Sequence, residues 1–353
     1  MEESSDSSDD GDSGRRSSND SESDCDEERS YSSGEPASKP PKTGEEDEET
    51  LDRLSALPDS LILQILSVLP MEEVVKTSAL SKKWQYLWTS VDNLIFINQD
   101  YSQSEHFEKF IKFLEKTVSL SSCSKIRKFA VQFDYNAFLY PDVDLWISFA
   151  LTRYVQDLDL NFIGPQSFDG TDIYRLPQHL FSNSSLTKLK LSLCVFEPSG
   201  VISWRLLKNL SLEYLESNED MIERILSSCP LLEVLELSNF MGFRRLDVTS
   251  PSLRTLKLKD FWYSCDDDDD GALLEILALN LRSLEISGYL YTMKCRLVNV
   301  SSLVDANLSF DLDTPADSSD DYEEYRYIVL ELLESLRHVK QLTIGSWCTQ
   351  ATF

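Results

Sequence analysis

Histidine is scarce in this 353-residue chain: His106, His179 and His338 are the whole supply. They stand far apart, and no H-E-x-x-H occurs, so no metal site with a recognisable ligand spacing is expected. Equally missing are G-x-x-x-x-G-K-[ST], G-x-G-x-x-G and G-x-S-x-G, the loops that cradle phosphates or present a nucleophilic serine. No cofactor and no catalytic constellation is expected. The seven cysteines, at 25, 123, 194, 229, 265, 295 and 348, contain no C-x-x-C and lie nowhere near a histidine in sequence. They read as reduced packing thiols, which places the chain in the nucleus or cytoplasm. Basic side chains are also short, 33 against 61 acidic for a net charge of −28, which excludes the basic surface that nucleic acid requires. No apolar run approaches the roughly eighteen residues that span a bilayer, and the acidic amino terminus is unlike a signal sequence.

Residues 1–50 carry 18 acidic and 5 basic side chains and thirteen serines, without one Leu, Ile, Val, Phe or Trp. Such a segment has no apolar surface to set against its ordering entropy, and disorder is expected. Serines precede acids at Ser7-Ser8-Asp9-Asp10 and Ser21-Glu22-Ser23-Asp24, the context of acid-directed kinases. The tail is therefore either a plain solvating segment or a phosphorylated regulatory one.

Composition reverses at Arg53–Val91. Pro58-Asp59 can open a helix in which Leu61, Ile65 and Val68 form one apolar line and Ile62, Leu66 and Leu69 a second. Pro70 stops it, a second helix is expected from Met71 to Leu80, and Ser81 can cap a third carrying Trp84, Leu87 and Trp88. Three short helices make a small core. Below about seventy residues a core rarely supplies more than roughly 3–5 kcal/mol, so the surplus apolar surface implies docking onto something else.

LPDSLILQILSVLP followed by EEVVKTSALSKKWQYLW resembles an F-box, the motif that binds the Skp-type adaptor of cullin–RING ubiquitin ligases. Leu57, Pro58, Ile65, Leu66, Leu69, Val74, Val75, Leu80, Trp84, Leu87 and Trp88 fall in its register, with Glu73 where aspartate is more usual. The resemblance implies that these residues divide between the helical core and the adaptor interface.

Downstream, an L-x-x-L-x-L pattern recurs nine times, starting at Ile126, Val155, Leu186, Leu207, Leu232, Leu253, Leu281, Leu303 and Val339. The starts are 29, 31, 21, 25, 21, 28, 22 and 36 residues apart. That brackets the roughly 20–29 residues of leucine-rich repeats. The last x-L-x-L of each copy alternates as a strand does, so the leucine-type residues point inward and the strands stack into a parallel sheet. Between strands, Glu219–Ser227 has helical spacing, whereas Leu246-x-Val248 suits a short extended return. Asp311–Glu324 and the Asp266–Asp270 run read as solvated acidic loops.

The expected fold is therefore α/β: an acidic tail at 1–50, a three-helix F-box at 51–92, a connecting helical segment at 93–125 and a repeat solenoid at 126–353. This order resembles the plant F-box/leucine-rich-repeat family over roughly residues 51–347. Many of its members continue into a further C-terminal domain, whereas this sequence stops at Thr349–Phe353, just after the ninth unit. The resemblance implies a non-catalytic substrate receptor, joined through the adaptor to cullin and RING subunits and holding a protein substrate for ubiquitination. A leucine-rich-repeat scaffold without a degradative role, and a receptor gated by a small molecule, are the alternatives. Outward positions of the strands are Lys188, Lys190 and Ser192; Val234, Glu236 and Ser238; Thr255, Lys257 and Lys259; and Ser283, Glu285 and Ser287. Lys188, Lys190, Glu236, Lys257 and Lys259 are the candidate substrate contacts, with a local positive character that either steers an acidic segment or merely keeps the sheet soluble.

Overall fold

The computed structural model describes residues 54, 56–98, 104–163, 173–214, 219–241, 244–262, 274–289, 295–311 and 319–345. The acidic tail and the Asp266–Asp270 run lie outside these residues. The chain begins with helices α1 (Asp59–Leu66) and α2 (Met71–Lys76), then enters β1 (Asn93–Ile97), α3 (Ser104–Leu120), β2 (Lys128–Asp134), α4 (Tyr140–Thr152) and β3 (Asp157–Ile163). Next come β4 (Tyr174–Arg175), β5 (Lys188–Ser192), β6 (Cys194–Val195), β7 (Asn209–Glu213), α5 (Glu219–Ser228), β8 (Val234–Met241) and β9 (Arg245–Asp247). It closes with β10 (Thr255–Trp262), β11 (Leu274–Leu277), β12 (Ser283–Tyr289), β13 (Cys295–Val298), β14 (Asp305–Asp311), α6 (Ser319–Ser335) and β15 (Gln341–Ile344).

Ten strands form one parallel sheet in the order β1-β2-β3-β5-β7-β8-β10-β12-β14-β15. Every one of the nine expected repeat units supplies a strand to it. The inward leucines stack in register, Leu189 on Leu210, Leu210 on Leu235, Leu235 on Leu256 and Leu256 on Leu284. All five are buried. A returning layer holds the short parallel sheet β13-β11-β9 and the pair β4-β6, with helices α3 to α6 completing other returns. Residues 219–227 are helical and Leu246 lies in an extended return, as their spacing implies. The acidic stretch after Asp311 differs from expectation, because Ser319–Glu324 already belongs to α6. That helix buries Ile328, Val329 and Leu332, with Leu336 just past its end, and this apolar stripe extends helical structure back into acidic sequence.

The tenth strand is the main correction. Asn93–Ile97 is extended and pairs with β2, where a helical connection was expected, and the helix of that segment is α3. Val91, Leu94 and Phe96 repeat the L-x-x-L-x-L spacing and are buried like their equivalents. The copy starts 35 residues before Ile126, outside the usual repeat length, because α3 is inserted between them.

After the third inward residue, five adjacent strands share a second regularity. Leu193, Tyr214, Asn239, Asp260 and Gly288, each two residues beyond that position, have φ of 55, 52, 50, 47 and 118°. A left-handed residue repeated across neighbours turns each strand the same way, so the pairing survives the bend. At Gly288 an added Cβ would lie 2.7 Å from Asp260 Oδ1 and 2.9 Å from Asp260 N, so only glycine fits there.

Candidate functional site

The two apolar lines of α1 have opposite fates. Ile62 and Leu66 turn inward and pack with Met71, Val74, Trp84 and Val91 in the core that continues into the repeats. Leu61, Ile65 and Val68, spaced i, i+4 and i+7 on the other face, are 44, 47 and 73% exposed. Pro58 sets the entry with extended backbone, and Asp59 sits in the first turn, where the helix dipole favours an acid. Glu72 and Glu73 open α2 and Lys76 closes it, reaching both carboxylates at 3.1 and 2.9 Å.

The expected second and third helices are shorter and tighter than their spacing implies. α2 ends at Lys76 and runs on only as a 3₁₀ turn, Thr77–Ala79. Beyond Ser81 the chain is held by bonds from Trp84 N to Ser81 O, Leu87 N to Trp84 O and Val91 N to Trp88 O, not by an α-helical ladder. These three-residue turns bury Trp84 and deliver Val91 straight into the first strand. Lys83 Nζ donates to Leu57 O and lies 3.3 Å from Asp59, tying the turn to the start of α1. Leu80 and Tyr86 are left 60 and 69% exposed, with Leu54 also exposed.

Of the residues expected to divide between core and docking surface, Pro58, Ile65 and Leu80 are exposed and Leu57, Leu69, Val75, Leu87 and Trp88 are partly buried. Leu66, Val74 and Trp84 belong to the core, where no partner reaches them. Leu54, Leu61, Val68 and Tyr86 join the exposed set. The signal for Leu61 and Val68 was the first apolar line of α1; nothing in the sequence marked Tyr86.

Across the strand face the lysines do not stand alone. Asp159, Lys190, Ser211, Glu236, Lys257 and Glu285 form one register row, and Asp157 and Lys188 are paired in the row before. Lys257 is 3.3 Å from Glu285, Lys259 is 2.9 Å from Glu236 and Lys128 is 3.9 Å from Asp157. The hydrogen bond to Glu236 raises the Lys259 ammonium above its usual range. Burial pushes the Asp159 carboxyl up, opposed by Lys190 and Lys128. Lys128, Lys257 and Lys259 thus lie in ion pairs with Asp157, Glu285 and Glu236, and Lys188 and Lys190 pair in register with Asp157 and Asp159. Lysines and acids alternate along the row, so the positive character expected from the sequence is offset at Lys257 and Lys259 by acids of neighbouring strands. Register brings acids beside lysines from strands over twenty residues away, which a single repeat unit does not reveal.

Cys194, Cys229 and Cys295 are buried and free, and burial pushes the latter two thiols up to about 12. They are protonated at neutral pH and make poor nucleophiles. Cys123 is half-buried, its thiol donating to Val91 O. His179 faces Ser148 and the ring of His338 meets Val300 O at 2.9 Å, both as packing contacts. Among the described residues no helix is long and apolar enough to cross a membrane.

A family description for the F-box domain matches residues 54–96. A second, named FBD-associated F-box protein At5g56370, LRR repeats, matches residues 143–307. The F-box protein At5g03100 of Arabidopsis thaliana is 33% identical over 302 residues, covering 84% of this chain and 89% of the relative. The chain belongs to the plant F-box/leucine-rich-repeat family. The F-box/LRR-repeat protein At3g03360 of the same plant is 30% identical over 304 residues, 84% of this chain and 59% of that protein. The F-box/FBD/LRR-repeat protein At5g56420, also from Arabidopsis thaliana, is 32% identical over 265 residues, 73% of this chain and 60% of its own length. The chain thus spans about six-tenths of these two longer relatives.

In this F-box/leucine-rich-repeat protein the two matched regions leave a gap that the fold fills. The F-box match ends at residue 96, inside β1, and the repeat match begins at residue 143, inside α4. β1, α3 and β2 join them without a break in the core. Asn93 Nδ2 donates to Ser67 O at 2.8 Å while its Oδ1 accepts from Arg127 Nε at 3.0 Å, a direct bridge between F-box and repeats.

Proposed function

We propose that this protein is the substrate-recognition subunit of a Skp–cullin–F-box ubiquitin ligase. The observation that carries the reading is the exposed line of Leu61 and Ile65 on α1, continued by Val68 just past its end, on a helix whose opposite line is locked into the repeat core. Apolar side chains held rigidly in water favour a partner that buries them, and F-box domains generally bind the Skp-type adaptor. Through that adaptor the cullin and RING subunits would bring the transfer chemistry. The repeats contribute by holding a protein substrate close to it, catalysis by proximity. The strand face, with Lys188, Lys190, Glu236, Lys257 and Lys259, is the surface offered to that substrate. Its alternating charges suit a segment of mixed sign better than a purely phosphorylated one. The unpaired thiols fit a nuclear or cytoplasmic site of action.

The test is co-purification with a Skp-type adaptor, using the intact chain and the double variant Ile65→Asp with Leu80→Asp. Adaptor capture by the intact chain and its loss in a variant with an unchanged thermal transition is the expected result. Equal capture by both sinks the assignment. Under proteasome inhibition, proteins that accumulate on the variant and not on the intact chain would be the substrates.

A further inference from the structure

At the end of the sheet beside the F-box, β1 has an edge that carries no strand among the described residues. Asp92 O accepts from Arg127 N and Lys128 N, and Asn98 N donates to Gln132 O, so the even-numbered residues of this segment turn their backbone groups toward β2. A parallel strand alternates, and the N–H and C=O groups of Ile95 and Ile97 therefore point the other way. Among the described residues no backbone group takes them up. They open into a groove of about 630 Å³ lined by Pro70, Glu72, Glu73, Lys109, Phe110 and Phe113 among others. One wall is the start of α2. The other is α3, whose Phe113 packs edge-on against Phe96 at 6.2 Å and whose Phe110 packs on Phe133 at 6.0 Å, so the wall is fixed.

From these features we infer that the groove is a second docking site, which takes an extended peptide segment of a protein partner as an added strand on β1. Main-chain pairing to Ile95 and Ile97 supplies affinity, and side chains on alternate positions supply selectivity. The apolar wall of Pro70, Phe110 and Phe113 selects apolar residues at those positions. The charge at the lip selects a neighbouring basic one: Glu72 and Glu73 share the single ammonium of Lys76, and Lys109 is already paired with Glu105 at 2.8 Å. Among the described residues one carboxylate of the α2 lip is thus left in excess for a lysine or arginine of the partner. Neither the adaptor face of α1 nor the lysine lattice contributes to this groove, so the inference stands apart from the ubiquitin-ligase reading.

The experiment uses the full chain and a fluorescent peptide of alternating valine and lysine, followed by anisotropy and by hydrogen exchange of the segment 93–98. Saturable binding with slowed exchange at Ile95 and Ile97 is expected. N-methylation of the peptide at alternate amides should weaken binding by about tenfold in one register and little in the other, because only one set of amides pairs with the edge. The charge reversal Glu72→Lys should weaken it comparably, while adaptor capture reports that the F-box is still folded. Absence of binding, binding without protection at 93–98, or indifference to N-methylation would each overturn the proposal. So would a self-association of the chain that Ile97→Lys abolishes, since the occupant would then be a second copy.

Discussion

Along α1 and the turn after it the outward line is Leu61, Ile65 and Val68, apolar and unmet by any described part of the chain; on the strands the outward rows carry charges, and Lys257 and Lys259 meet acids of neighbouring strands. Both are regular surfaces built on rigid elements. The helical face has an unmet demand, because burial of apolar surface is favourable by about 25 cal/mol per Å² and the chain itself supplies no cover. The strand face has already met most of its demand internally. A partner there must compete with Lys257–Glu285 and Lys259–Glu236, which favours selectivity over raw affinity. The F-box surface is thus suited to a constant partner and the repeat surface to a chosen one.

The comparison breaks first at α1 itself. Ile65→Asp with Leu80→Asp should cost adaptor binding about 4 kcal/mol or more, on the scale of two interface hot spots, with little change in melting temperature. The inward neighbour Leu66→Ala should behave in the opposite sense. It should lose about 2–5 kcal/mol of stability by leaving a cavity, measured by denaturant titration. If the two variants gave the same profile, the division of α1 into a docking line and a core line would be wrong.

A smaller effect is expected at the bend of the strands. Gly288→Ala meets both a left-handed φ of 118° and the backbone of Asp260, and should destabilise by about 1–3 kcal/mol while adaptor binding is retained. Asn239→Gly, in the same column, should be neutral or slightly stabilising by comparison, because it relieves the strain without a clash.

On the lattice, Lys257→Ala or Lys259→Ala should each change stability by about 0.5 kcal/mol or less, since these pairs are partly solvated. The difference should shrink in high salt. Their effect on substrate capture should be much larger than on folding, whereas for Leu66→Ala the reverse holds.

The slightest effect in neutral solution comes from the thiols. The folded chain holds protons on Cys229 and Cys295 up to about 12, whereas an unfolded thiol releases them near 9.0. The unfolded state then binds fewer protons, so stability is flat below pH 9 and falls as pH rises from 9 toward 12. The F-box at 54–96 contains no cysteine, so this alkaline loss should begin in the repeats, seen as earlier exchange of β8 and β13 than of α1.

Much of this fold was legible because leucine spacing is a local signal. Leu232-x-x-Leu235-x-Leu237 names its own inward residues, and nine such units name a parallel sheet. Where the interval is stretched, the same signal is hidden: Val91-x-x-Leu94-x-Phe96 fits the pattern, yet α3 separates it from the next copy. At the F-box, family register marks Leu66, Val74 and Trp84 without saying on which side of the core–interface division each falls, and the structure gives these to the core. Tyr86 was illegible, since a lone aromatic in a turn has no periodicity.

The sequence by itself determined which face of each strand is buried, since a one-residue slip would turn every leucine of that strand into water. It likewise determined where the helices of the F-box begin, because Pro58 and Pro70 fix backbone angles without help from distant residues. Only the tertiary structure decided which of two equally apolar lines on α1 would be covered, for that depends on where Met71, Trp84 and Val91 arrive. It also decided that Lys257 and Lys259 sit in ion pairs, because Glu285 and Glu236 come from neighbouring repeats. A charge is local to its residue, but the field it sits in is set by the register of the whole sheet.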